Sequence, residues 1–211
     1  MTAASPTGFR AMVASPHALA SQAGADVIKA GGSAVDAAIA SSAALSVLYP
    51  PMTSVGGDAF WLIWDARRRQ VRFLNGAGRA AAAATLDWFR QRGLGEIPVR
   101  GIVPATLTVP GAVDSWCEAH AEYGRLTLAE DLAAAIHYAR GGFEVTERIA
   151  EWIAGCAEVL AANPEAASIF LPGGAAPRGG QRLINGDLAL TLERIGPTVA
   201  PGSTTARRRA R

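Results

Sequence analysis

Arg79 is one of nineteen arginines whose side chains could hold a carboxylate-bearing substrate. It stands in Asn75-Gly-Ala-Gly-Arg79-Ala-Ala81, a run of small residues that follows a strand-like segment. A guanidinium in such a setting offers a planar fork that binds a carboxylate through two parallel hydrogen bonds. A solvated surface Arg is the equal alternative, and both readings stay open. His17 follows Ser15-Pro16 at a helix entrance. It could move a proton in an active site, but a capping or packing role is the simpler reading.

Metal and thiol chemistry find little support. His17, His120 and His137 are the three imidazoles, and none forms an i, i+4 pair or sits beside a Cys cluster, so neither a metal nor another cofactor is expected. Cys117 and Cys156 lie far apart and match no ligand spacing. They read as two buried thiols in preference to a disulfide. Asp36 is assigned to a helix cap. Gly56-Gly57 is expected to allow a tight turn or close backbone approach near an active-site cleft, through glycine's tolerance of positive φ.

The elements that must position these residues can be read from periodicity and punctuation. Residues 18–30 carry Leu19, Ala23, Val27 and Ile28 on one helical face, and Gly31-Gly32 stops the helix. Ser33-Ala-Val-Asp36 resembles a capping box opening a second helix to about Leu48, ended by Pro50-Pro51. Phe60-Trp-Leu-Ile-Trp-Asp65 reads as a strand, with residues 71–74 its hairpin partner across the polar link 66–70. A short helix is expected over 86–92 after Thr85, and a short strand over 106–109. Pro110 then opens a helix reaching Tyr123 and stopped by Gly124. Thr127-Leu-Ala-Glu130 caps a helix ending at Gly141-Gly142, and Thr146 caps another to about Ala161. The expected class is α/β, layered, with a helix-rich rear half.

With 211 residues, half of them apolar, the chain can bury a substantial core. The most apolar run, 34–49, contains Asp36 and falls short of the ~20 apolar residues that span a bilayer. No membrane partner is expected. The start lacks the basic and apolar regions of a secretory signal, which points to the cytoplasm. The net charge of +2 includes four Arg at 207, 208, 209 and 211, so the rest carries −2. No aromatic residues interleave with that Arg cluster, and it reads as a disordered tail with no nucleic-acid partner.

Several segments taken together resemble one known family. Met12-Val-Ala-Ser-Pro-His17, Ala23-Gly24, Gly31-Gly-Ser-Ala-Val-Asp-Ala-Ala38 and Gly56-Gly57 are similar to the large-subunit start of the gamma-glutamyltransferase (gamma-glutamyltranspeptidase, glutathione hydrolase) family. Val109-Pro-Gly-Ala-Val113, Gly124-Arg-Leu-Thr-Leu128, Ala135-Ile-His-Tyr-Ala-Arg-Gly-Gly-Phe143 and Asp187-Leu-Ala-Leu-Thr-Leu192 continue it in the same order, so the resemblance covers about Phe9 to Gly196. It implies a partial N-terminal-nucleophile hydrolase: a four-layer αββα precursor that cleaves itself to expose a Thr at the start of a small subunit. That Thr attacks the amide while its own α-amine takes the hydroxyl proton.

In the family the new N-terminus reads Thr-Thr-His or similar, and no such motif occurs in these residues. Thr204-Thr205 is followed by Ala206 and Arg, and is read as coincidence. No catalytic residue is therefore assigned within the chain, which is expected to be inactive without the missing small subunit. The family's substrate-binding Arg lies in a segment resembling Asp-x-Arg-Glu-x-Ala-Pro. Its position falls here on Ala77, with Ala81 in place of the proline and Arg79 two residues on, a shift of about 7 Å along an extended chain. The segment also looks like a family branch with Gly-Arg-Ala-Pro that includes hydrolases of small acid amides such as oxamate. The implied substrate of the intact enzyme is a gamma-glutamyl compound or a small carboxylate-bearing amide.

The expected organisation is a disordered segment 1–8, one incomplete domain 9–196 and a tail 197–211. Nineteen Arg against the single Lys29 suggest GC-rich coding DNA, and a frameshift near Gly196 would explain the abrupt change to Ala, Arg, Gly and Pro. A short natural tail is the rival explanation. From a different functional class comes the alternative of a non-catalytic pseudoenzyme or binding module that keeps the front half of the fold.

Overall fold

The computed structural model describes residues 7–97 and 107–198. Two compact units make up the chain, one from residues 1–53 with 117–211 and one from 54–116.

The first unit is built from helices whose ends are set locally. Helix α1 (Ala18–Lys29) begins at His17, whose Nδ1 accepts from Leu19 N at 3.3 Å. The capping reading of His17 therefore holds. Helix α2 (Ala34–Leu48) starts in a complete capping box: Ser33 Oγ accepts from Val35 N and Asp36 N, while Ser33 N donates to Asp36 Oδ2 at 2.6 Å. Eleven of its fifteen residues are buried, so α2 has no polar face and runs through the middle of the unit. Its Ala and Ser side chains let neighbours come close. At Gly24 of α1 a Cβ would lie 2.8 Å from Ala37 O of α2, so only glycine fits that crossing.

Helices α4 (Ala112–Tyr123) and α5 (Leu128–Gly141) follow, and the division between units falls inside α4. Gly124 ends α4 as expected. Thr127 and Glu130 form the second capping box, and Gly142, at φ 80°, ends α5. Helix α5 packs on α2 and on the last helix, α9 (Gly186–Ile195), with Leu128, Leu132, Ala135 and Leu192 fully buried at these contacts. Each buried Leu contributes about 1.5–3 kcal/mol relative to an exposed one.

Between α5 and α9 the sequence reading is corrected. The single helix expected from Thr146 to Ala161 is two, α6 (Glu147–Gly155) and α7 (Ala157–Ala161), because Cys156 leaves helical geometry at φ −110°, ψ 6°. A further helix, α8 (Pro164–Phe170), begins at an Asn163 cap with proline in its first turn. No disulfide joins the two cysteines, as expected, but neither is buried: Cys117 is half-buried and Cys156 exposed.

In the second unit, β1 (Ala59–Asp65) and β2 (Gln70–Gly76) form an antiparallel hairpin in register from Ala59↔Gly76 to Asp65↔Gln70. Asp65 Oδ1 accepts from Arg67 N and Arg68 N, both at 3.0 Å, which ties the turn. Helix α3 (Leu86–Arg90) starts at the Thr85 cap and stops sooner than expected. The strand expected over 106–109 does not form across 107–109. Val109 N makes one bond, to Arg79 O at 2.9 Å, and no ladder follows. Residue 106 lies outside the described residues, as does most of the 197–211 tail; 197 and 198 belong to a short 3₁₀ turn.

Candidate functional site

Arg79 sits on a tethered segment leaving β2. Ala77 N donates to Asn75 Oδ1 at 3.0 Å, Gly78 N to Asp58 Oδ1 at 2.8 Å, and Val109 N to Arg79 O. A side chain at position 78 would collide with the Val109 carbonyl, so glycine lets the two strands of chain touch. The backbone is thus fixed while the guanidinium remains exposed, with no ion pair among the described residues. An apolar recess of about 280 Å³ adjoins the segment, walled by Ala81, Ala84, Trp88, Leu107 and Val109. Arg79 itself is not among the residues that wall the recess.

Gly56-Gly57 lies in the expected tight turn, with Gly57 N donating to Ser54 O at 3.3 Å, though without positive φ. Gly57 O accepts from Gly111 N at 3.1 Å and Ala112 N at 2.9 Å, where α4 begins. Neither glycine has a positive φ, and a Cβ at either would make only ordinary contacts. Alongside, Trp61 Nε1 donates to Ser115 Oγ at 3.0 Å, and Ser115 in turn donates to Ala112 O.

His17 is spent on its cap. Burial holds its pKa below the ordinary value, and Nε2 is buried without a partner. A groove of about 590 Å³ in the helical unit, walled by Met12, Val13, Ala34, Ala37 and Ser41 among others, carries no acid or base that could do proton chemistry. Thr204-Thr205 lies outside the described residues.

One cluster escaped the sequence reading. Asp36 does cap α2, but its carboxylate also reaches the α4–α5 link, accepting from Arg125 N at 2.9 Å and Leu126 N at 3.4 Å. His120 and Asp131 stand beside it, all three buried, with side-chain N and O atoms within 4.8 Å of one another. His120 Nε2 lies 3.8 Å from Asp36 Oδ1 and 3.7 Å from Asp131 Oδ2. Carboxylates with an imidazole are of metal-binding type, yet Nε2 is 2.9 Å from Leu126 O. A carbonyl can only accept, so Nε2 carries a proton and its lone pair is not on offer. The lone signal in the sequence was the second acid after Thr127, at 131, facing inward on an otherwise amphipathic helix.

Residues 20–200 match the family model described as Gamma-glutamyltranspeptidase. The chain is 45% identical over 188 residues to the glutathione hydrolase-like YwrD proenzyme of Bacillus subtilis, covering 89% of this chain and 35% of that protein. It is 39% identical to the oxamate amidohydrolase proenzyme of Klebsiella pneumoniae, covering 87% of this chain and 35% of that one. Among solved structures, the gamma-glutamyltranspeptidase of Helicobacter pylori superposes with a TM-score of 0.84 at 27% identity, over 92% of this chain and 56% of that one. The chain spans about a third of the length of the curated relatives it matches.

Proposed function

Since the chain belongs to the gamma-glutamyltranspeptidase family, we propose that it forms the front of the large subunit of an amide-hydrolysing proenzyme and binds the carboxylate end of its substrate through Arg79. Its fold is part of the layered N-terminal-nucleophile hydrolase fold, helix-rich as the sequence implies. The nucleophilic Thr and the amine that activates it belong to a small subunit outside these 211 residues, so the chain alone hydrolyses nothing. This part supplies a tethered cation and an apolar wall.

The observation that carries the substrate reading is the segment 75–81. Ala77 occupies the place of the Arg expected for gamma-glutamyl recognition, while Arg79 projects from a backbone pinned by Asp58 and Val109. A shorter carboxylate-bearing amide fits that displacement better than a gamma-glutamyl group. The relatives' names, a glutathione hydrolase-like proenzyme and an oxamate amidohydrolase proenzyme, bracket both substrate classes.

A chimaera tests this. Residues 9–196 replace the matching front of the YwrD proenzyme, and the product is assayed for self-cleavage and for hydrolysis of oxamate and of a gamma-glutamyl anilide. Cleavage into two fragments and turnover favouring the small acid amide are expected. Arg79→Ala then raises KM about 10- to 150-fold, the equivalent of ~1.5–3 kcal/mol for a charge-assisted contact. Arg79→Lys recovers part of the loss. Hydrolysis by the unmodified 211-residue chain, or an unchanged KM in Arg79→Ala, would overturn the reading.

A further inference from the structure

The Asp36–His120–Asp131 cluster does nothing in the proposed reaction, and its bonding is unbalanced. Asp36 is well supplied: Ser33 N, Arg125 N and Leu126 N all donate to it. His120 gives its Nε2 proton to Leu126 O, and its Nδ1 is buried without a partner. Protonating Nδ1 would leave a buried N–H with nothing to accept it. Asp131 is fully buried, and neither of its oxygens has a hydrogen-bond partner. Gly124 lies against the His120 ring, where a Cβ would come 2.8 Å from Nε2, so no side chain can enter from the link above.

Two carboxylates side by side and buried cannot both ionise at little cost. We propose that Asp131 keeps a proton in the folded chain, directed at Asp36, and that this shared proton is a pH-sensitive latch holding the 124–127 link against α2. Protonated, Asp131 is a neutral acid with a hydrogen to give. Ionised, it is a second buried negative charge facing the one that holds Arg125 N and Leu126 N, and the link is pushed off.

Burial, then the neighbouring Asp36, pushes the Asp131 carboxyl up to about 8. The other charged groups nearby are engaged elsewhere. Glu130, on the same helix, binds Thr127 and adds a smaller push in the same direction as Asp36. On α1, Asp26 pairs with Lys29 at the surface, and on α9, Glu193 pairs with Arg140 of α5. The raised value sets the sign. The folded state binds the proton more tightly than the unfolded chain, whose Asp titrates near 4, so this contribution is complete below about pH 4 and is lost as pH rises to about 8. His17, held below its ordinary value, acts oppositely as pH falls below about 6.5, so the window from there to about 8 isolates Asp131.

The test is denaturant unfolding of the 211-residue chain and of Asp131→Asn, which mimics the protonated acid. In the native sequence the unfolding constant should rise about tenfold per pH unit across that window, and in Asp131→Asn it should stay level. Equal slopes in the two proteins would overturn the latch. Infrared spectra of the native chain need neither reversibility nor a variant: a carbonyl band of a protonated Asp at neutral pH, lost at alkaline pH, supports it, and its absence at neutral pH sinks it. Zinc ion is the third arm. A melting temperature raised by zinc in the native chain and not in Asp131→Asn makes the cluster a metal site and overturns the proton.

Discussion

The helical unit and the hairpin unit treat their apolar residues in opposite ways. In the helical unit Ile39, Leu48, Leu128, Leu132 and Leu192 are wholly covered, each helix closing its own backbone hydrogen bonds and offering a stripe to the next. In the hairpin the burial alternates the wrong way for water. Phe60, Leu62 and Trp64 on β1 and Val71 and Phe73 on β2 share one face, between 60% and 78% exposed. The opposite face, with Trp61 and Leu74, is half-buried. A two-stranded ribbon has two open edges and at most one covered face, so it needs a further layer to be stable. The contrast locates where a further layer is still needed: over the hairpin and not over the helices.

Substitutions can break or sharpen that contrast. The largest effect is expected in the helical core, where Leu132→Ala should cost about 2–5 kcal/mol through lost burial and the cavity left behind, measured by denaturant unfolding. A loss under ~1 kcal/mol would mean that α5 does not anchor the unit. Gly24→Ala comes next, because its methyl meets Ser41 and the Ala37 carbonyl; about 1–3 kcal/mol should be lost as α1 is pushed off α2. Thr127→Ala removes one capping-box partner and should cost ~1 kcal/mol. Smallest in stability is the double change Leu62→Ser with Phe73→Ser, a cross-strand pair on the exposed face, expected within ~0.5 kcal/mol. Its effect should appear in light scattering instead, as slower aggregation of the isolated chain. A large stability loss there would show that the hairpin face is already covered.

What could be read from the sequence follows from how local each cause is. Ser33 with Asp36, Thr127 with Glu130, and the glycines at 31–32, 124 and 141–142 act within four residues of the ends they set, and those helix limits emerge as expected. The break at Cys156 has no such marker, since Gly155 can sit inside a helix as well as end one. The stretch 107–109 has strand-like residues but no strand beside it among the described residues, and partnership is not written in composition. Asp36 shows both cases in one side chain. Its cap was legible, while its bond to Arg125, 89 residues away, depends on a packing no window of sequence displays.

That double use of Asp36 orders events in folding. Ser33 N lies three residues from the carboxylate and can be captured as soon as the first turn of α2 forms, on the sub-microsecond scale of helix growth. Arg125 N can be captured only after the intervening chain has closed on itself, which carries a loop-closure cost that local contacts do not. The paired helices α1 and α2 are therefore expected to be formed in the transition state, with the Arg125 bond arriving on its downhill side. Mutations at Ser33 should slow refolding, whereas changes in the 124–127 link should chiefly hasten unfolding.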